Sequence, residues 1–301
     1  MPVLENEIAN LTEYIRNLRG GSQPILALAS DGFLYVVKFL NNPQGPNVLF
    51  NEIAGSELYR ACGLAVPEWR SLLLSDSFID KNPESWMQTP EGRLRPTAGL
   101  CFGSRFMEGD GKRLIEFLPR SSFTRVRNRT SFWLAWLIDV CAEHTDNRQA
   151  IFVEDAEGWL DARFVDHGHL FGGPKAVQKK SFLASRYLDP RIYEGVSSED
   201  RLGFMESIRA LDSDKLWQRI EATPVDWRQA SAFDGFARSL ERLSKSFLVQ
   251  NVLDTIIDAH ERKTEIDSRN PGNGRKLPSS VLFPAVRGAG FEQRYARNPA
   301  A

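Results

Sequence analysis

The sequence predicts an α+β fold of two lobes, a small β-rich lobe followed by a mainly helical one. Three observations carry this. The first third strings together short apolar, β-branched and aromatic runs separated by turn signals, whereas the remainder is dominated by helical stretches. Between them "MEGDGK", residues 107 to 112, brings Gly109 and Gly111 to a suitable hinge. The expected divisions are a first lobe over 1–108, a helical lobe over 109–265 and an irregular tail over 266–301. With 301 residues, 42% hydrophobic and 26% charged, the chain has ample material for a large core.

The elements follow in order. Leu4, Ile8, Leu11, Ile15 and Leu18 recur at helical spacing, and Gly20-Gly21 would end that helix. "PILALA" (24 to 29) and "FLYVVKFL" (33 to 40) read as strands of a hairpin, because Ser30-Asp31-Gly32 supplies the positive φ angles a tight turn needs. "NVLFNEIAGSELYRACG" puts Phe50, Ile53, Ala54, Leu58 and Ala61 on one helical face and ends in Gly63, a suitable helix stop. "VPEWRSLLL" and "AGLCFGSRF" read as further strands joined by a polar, Pro-containing loop. From Phe123 to Glu143 the chain is apolar around most of a helix, with Phe132, Trp133, Leu134, Trp136, Leu137 and Ile138, which marks a helix central to a core. Two short strands, "AIFVE" and "LDARFV", come next. Helical stretches around 198–221 and 228–263 precede "DSRNPGNGRKLPSS", an irregular segment.

Composition narrows the function. Thirty-eight basic against 39 acidic side chains leave a net charge of −1, so no overall field favours nucleic acid or an anionic membrane. Cys62, Cys101 and Cys141 are odd in number and irregularly spaced, as reduced thiols would be. The start lacks a leader pattern, and the longest apolar stretch, "FWLAWLIDVCA", is broken by Asp139. A soluble, cytoplasmic protein is expected.

The chemistry concentrates in four residues. Lys38 lies within "YVVKF", where an ammonium is either a phosphate clamp or a lysine on a solvated strand face. Glu52, on the helix that follows, is within reach of Lys38 but is equally a first-turn carboxylate favoured by the helix dipole. Asp146, after His144-Thr145, and Asp166, before His167-Gly168, sit at a loop and a strand end where carboxylates bind Mg²⁺ or orient a hydroxyl, or simply cap a turn.

In combination, the Lys38 strand, the Glu52 helix, His144-x-Asp146 and Asp166-x-Gly168 resemble the protein-kinase plan. More specifically, "GGSQPILALASDGFLYVVKFL", "NEIAGSELYRACGLAVPE", "GLCFGSRF", "TDNRQAIF" and "FVDHGHLFGGP" are similar in wording and order to HipA-like kinases, over roughly residues 15–175. The resemblance implies an ATP-dependent kinase that uses Mg²⁺ and phosphorylates a Ser/Thr hydroxyl of a protein, or a small-molecule hydroxyl. Lys38 would contact the ATP phosphates, Glu52 would position Lys38, Asp146 would act as base and Asp166 would hold Mg²⁺. Gly20, Gly21 and Ser22 would form the phosphate-covering loop, with Ser22 a candidate for autophosphorylation, and the chain after Phe106 would receive adenine. An antitoxin-like protein partner also follows from the resemblance.

One position departs from the plan. The asparagine that follows the kinase aspartate by five residues is Ile151 here. Asn147 or Gln149 could substitute, the site could hold one metal, or the protein could bind nucleotide without turning it over. Arg148 and Gln149 are placed along the catalytic loop. A hydrolase with zinc on His144, His167 and His169 is a further alternative that leaves Lys38 and Glu52 unexplained.

Overall fold

In the computed structural model the described residues are 8–107, 113–176, 185–193 and 195–269. Five strands close into a barrel in the order β1 (Ala9–Asn17), β2 (Ile25–Ala29), β3 (Leu34–Lys38), β7 (Gly99–Arg105) and β4 (Trp69–Leu74). Its neighbours pair antiparallel except β1 with β4, which meet in parallel at Ala9 and Asn10. Inside lie Leu11, Ile25, Ala27, Tyr35, Val37, Leu72 and Cys101. Tyr35 and Val37 point into the barrel, so strand alternation turns Val36 and Lys38 to the opposite face.

The segment expected as a helix up to Leu18 is, from Ala9 onward, the strand β1. Register shifts between Leu11 and Glu13 and between Tyr14 and Arg16 explain the misleading spacing. Each bulge adds a residue, so side chains three apart, such as Leu11 and Tyr14, reach the same core. The loop expected between residues 75 and 97 holds a short helix α2 (Asp76–Lys81), N-capped by Ser75, and a hairpin of β5 (Met87–Thr89) and β6 (Gly92–Leu94).

Helix α1 (Val48–Ala61) is buried along its whole length from Val48 to Tyr59, beyond the single face expected. It is wedged between barrel and helical lobe and shares a core with α3 (Ser131–Cys141). Gly63 follows with φ +81°, as its assignment to the helix end requires. A second sheet of order β10-β9-β8 comprises β8 (Arg113–Ile115), β9 (Gln149–Glu154) and β10 (Leu160–Val165), of which β8 was not anticipated.

Each of the two later helical stretches divides. Ser197 and Asp200 form a reciprocal cap at the start of α4 (Ser198–Arg209), and Asp212 caps α5 (Ser213–Glu221). Helices α6 (Ala230–Ser244) and α7 (Ser246–Arg269) follow, α7 running past the expected limit at 265. Of the expected hinge only Met107 is described, and the tail beyond Arg269 lies outside the described residues. Among the described residues no helix is long and apolar enough to cross a membrane.

Candidate active site

Three elements deliver charge to one point. Strand β3 presents Lys38, α1 presents Glu52, and the turn after β10 presents Asp166. Lys38 Nζ is paired with Glu52 Oε1 and lies 2.8 Å from Asp166 Oδ1. Burial works against the ammonium, but the carboxylates of Asp166 and Glu52 outweigh it and hold Lys38 above the ordinary lysine value. Asp166, also opposed by burial, is kept well below the usual carboxylate range by Lys38. Glu52 is shifted upward, chiefly because it is buried and despite Lys38, with the Asp166 charge adding to the rise.

The backbone explains how Asp166 reaches Lys38. Asp166 adopts a left-handed conformation, φ 60° and ψ 60°, which an Asp tolerates better than most residues. The next two amides then face α1: His167 N donates to Glu52 Oε2 at 3.2 Å and Gly168 N to Glu52 Oε1 at 2.9 Å. Glu52 therefore holds the Asp166 turn as well as Lys38. Asn51, which the sequence did not single out, grips the same turn by donating to the carbonyls of Gly168 and Leu170 at 3.0 and 2.8 Å. Gly55 permits this approach, since a Cβ there would stand 2.5 Å from His167 Cβ and from Leu170 Cδ1.

Asp146 occupies the loop between α3 and β9, half-buried, with Oδ1 accepting from Asn147 N at 2.8 Å. Asn147 itself is exposed. His144 Nδ1 lies 2.6 Å from the Asp146 carbonyl, and Thr145 N donates to the His169 carbonyl at 2.8 Å, which ties this loop to the Asp166 turn. Gln149 Nε2 donates to Asp166 Oδ2 at 2.6 Å. The structure thus joins Lys38, Glu52, Asp166 and Gln149 in one set, with Asp146 three residues upstream of Gln149.

Arg148 has a different place from Gln149. It is buried, binds Asp139 of α3 through Nε at 2.8 Å and Nη2 at 2.7 Å, and donates from Nη1 to the Val165 carbonyl at 2.9 Å. Tyr59 completes the group by donating to Asp139 Oδ1 at 2.6 Å. Arg148 therefore anchors the loop from beneath, fixing the residue that precedes Asp166. The signal for this was Asp139, a lone charge in an apolar helix, which requires a buried partner.

Gly20, Gly21 and Ser22 form the turn joining β1 to β2. The Gln44 amide lies against Gly21, where a Cβ would collide with it, and Gln44 Nε2 is 3.1 Å from His169 Nε2. The turn is thereby linked to the segment after Asp166. The Ser22 residue is buried, so this conformation does not present its hydroxyl for phosphorylation. Phe106 N donates to the Leu34 carbonyl at 2.8 Å and is committed to the sheet.

The histidines are spread among separate tasks. His169 lies between Gln44 and Thr145, His167 lies under the Tyr59 ring beside Arg148, and His144 turns toward Asp146. Burial, reinforced by the Arg148 charge, pushes His144 down to about 4 and His167 well below its ordinary value. Among the described residues no three His, Cys, Asp or Glu side chains are grouped to hold a metal, which removes the structural basis for the zinc reading. Asp166 is nonetheless suited to Mg²⁺, because that ion commonly takes one or two protein carboxylates and fills its shell with phosphate oxygens and water.

No protein-family model matches the sequence, and no curated protein matches it. Solved structures do. The Helicobacter pylori proinflammatory kinase CtkA is similar with a TM-score of 0.51 at 12% identity, over 86% of this chain and 99% of that one. The Golgi casein kinase aligns with a TM-score of 0.46 at 12% identity over 80% of this chain and 73% of its own, and its Mn/ADP-bound form with 0.44 at 13% over 80% and 72%. The likeness to CtkA, which spans most of this chain and nearly all of that one, shows that this protein has a protein-kinase-like fold.

Proposed function

We propose that the protein is an ATP-dependent kinase that transfers the γ-phosphate to a Ser/Thr hydroxyl, as HipA-like kinases do, with Mg²⁺ held in the cleft between barrel and helical lobe. The observation that carries this reading is the convergence of Lys38, Glu52 and Asp166 from three separate elements on one buried point. A structural ion pair needs one cation and one anion. Here one ammonium faces two carboxylates, of which Asp166 is partly exposed, which suits a site that gains a divalent ion.

Phosphoryl transfer relies mainly on positioning and charge stabilisation. Lys38 would bind phosphate oxygens, and Glu52 would keep its ammonium from swinging away. The Gly20–Ser22 turn would close over the phosphates, with backbone amides as donors. Asp146, on a loop braced by His144 and Arg148, would orient the acceptor hydroxyl and take its proton. Bound Mg²⁺ would neutralise phosphate charge.

Calorimetric titration of ATP with and without Mg²⁺ tests the binding half of the proposal. Saturable binding that strengthens with Mg²⁺ is expected, and no binding in either condition would overturn it. Transfer of labelled γ-phosphate to Ser/Thr peptides tests the chemistry: Asp146→Ala should lower the rate at least ~100-fold while ATP affinity is retained. Ile151 in place of asparagine favours a second reading, a nucleotide-binding protein without turnover. In that case the wild type binds ATP and transfers nothing.

A further inference from the structure

We propose that Gln149 is a metal ligand: its side-chain carbonyl, together with Asp166, supplies the protein oxygens that hold a divalent cation in the cleft. This rests on the phosphotransfer reading above and identifies the residue that takes over where Ile151 offers no oxygen. Ile151 lies within β9, opposite Arg163 of β10, with an apolar side chain that cannot bind a hard cation. Gln149, two residues earlier on the same face of the strand, is the side chain that reaches Asp166.

The geometry is close to what a metal requires. Asp166 divides its carboxylate, with Oδ1 given to Lys38 and Oδ2 to Gln149. Gln149 Nε2 and Asp166 Oδ2 are 2.6 Å apart. Two ligands at adjacent corners of an Mg²⁺ octahedron, with metal–oxygen bonds of about 2.0–2.1 Å, stand about 2.9 Å apart. A half-turn of the amide, which exchanges its nitrogen for its oxygen, converts a donor to Asp166 into a second hard oxygen near that spacing. Gln149 is exposed, so the rotation meets no packed wall, and a solvated ion can enter.

Charge supports the same conclusion. One ammonium, Lys38, faces Glu52 and Asp166, and Gln149 brings a dipole but no compensating cation. The amide N–H now occupies the positive position at Oδ2 that the ion would take.

The test is Mg²⁺-dependent ADP binding by calorimetry, on wild type, Gln149→Leu and Gln149→His. Gln149→Leu should weaken Mg²⁺ about tenfold while leaving metal-free ADP affinity unchanged. Gln149→His should raise the preference for Co²⁺ over Mg²⁺ about tenfold, because imidazole suits the softer ion. A residue that only steadied Asp166 would not alter that preference. Unchanged Mg²⁺ affinity in Gln149→Leu, or unchanged selectivity in Gln149→His, overturns the proposal while Mg²⁺-dependent binding by the wild type leaves the phosphotransfer reading standing. If the wild type shows no Mg²⁺-dependent ADP binding, the phosphotransfer reading fails, and this proposal fails with it.

Discussion

Two buried ionic groups lie either side of the Asp166 turn, and they are built on opposite rules. Beneath the turn, Arg148 and Asp139 are both fully shielded, matched one to one through two bonds, and closed off by Tyr59 and the Val165 carbonyl. On the other side, Lys38 is shared between two carboxylates, and the Asp166 side chain keeps 22% exposure. The first group has no valence left for a ligand. The second has one ammonium between two carboxylates, and its outer carboxylate oxygen is held only by the exposed Gln149 amide. Burial alone does not distinguish the two groups; charge balance and remaining exposure do.

The largest expected effect follows from the closed group. Asp139→Asn keeps the shape of the side chain but leaves the Arg148 guanidinium buried without a countercharge. It should cost about 3–5 kcal/mol of stability, read by urea denaturation at pH 7. A loss under ~1 kcal/mol would mean that water or another anion reaches Arg148, and the contrast between the groups would collapse.

The two histidines between the groups sharpen the comparison through pH. His144, pushed down to about 4, and His167, held lower than normal beside the same Arg148, are neutral in the folded protein. In the unfolded chain each takes up a proton near pH 6.5. Below that pH the unfolded state binds more protons, so stability falls as pH drops from about 6.5 towards the folded value. His144 should contribute about 2 kcal/mol of loss between pH 7 and pH 5, and His167 a loss of the same sign. His144→Asn should remove its share of that loss in denaturation measurements at the two pH values, and an unaltered slope would show that His144 is not held neutral.

Much of this arrangement was legible in the sequence. Lys38 stood out as a lone charge within an apolar strand, the Asp31-Gly32 turn marked the hairpin, and the order of Lys38, Glu52, Asp146 and Asp166 resembled a known plan. What escaped depends on contacts between distant segments. The hold of Asn51 on the Gly168 and Leu170 carbonyls spans more than a hundred residues, and no local pattern marks it. Bulges in β1 imitated helical spacing, because periodicity reports which face a side chain occupies and not the path by which the backbone brings it there. Asp139 was visible as an anomaly, yet only the fold paired it with Arg148.

The smallest expected effect is the sharpest test, because it repeats the Asp139 exchange in the cleft. Glu52→Gln also turns a buried carboxylate into an amide, but it leaves one ammonium facing one carboxylate, with the 2.8 Å contact between Lys38 and Asp166 intact. The new carbonyl can still accept one of the two backbone amides, from His167 or Gly168, that Glu52 now receives. The expected loss is therefore about 1 kcal/mol, one hydrogen bond, against several for Asp139→Asn. Nucleotide affinity should fall as well, since the amide holds Lys38 less firmly in position. A Glu52→Gln cost equal to that of Asp139→Asn would mean that the cleft cluster is a structural pair with a redundant partner. A small cost with weakened ATP binding would mean that its second negative charge is kept for what binds there.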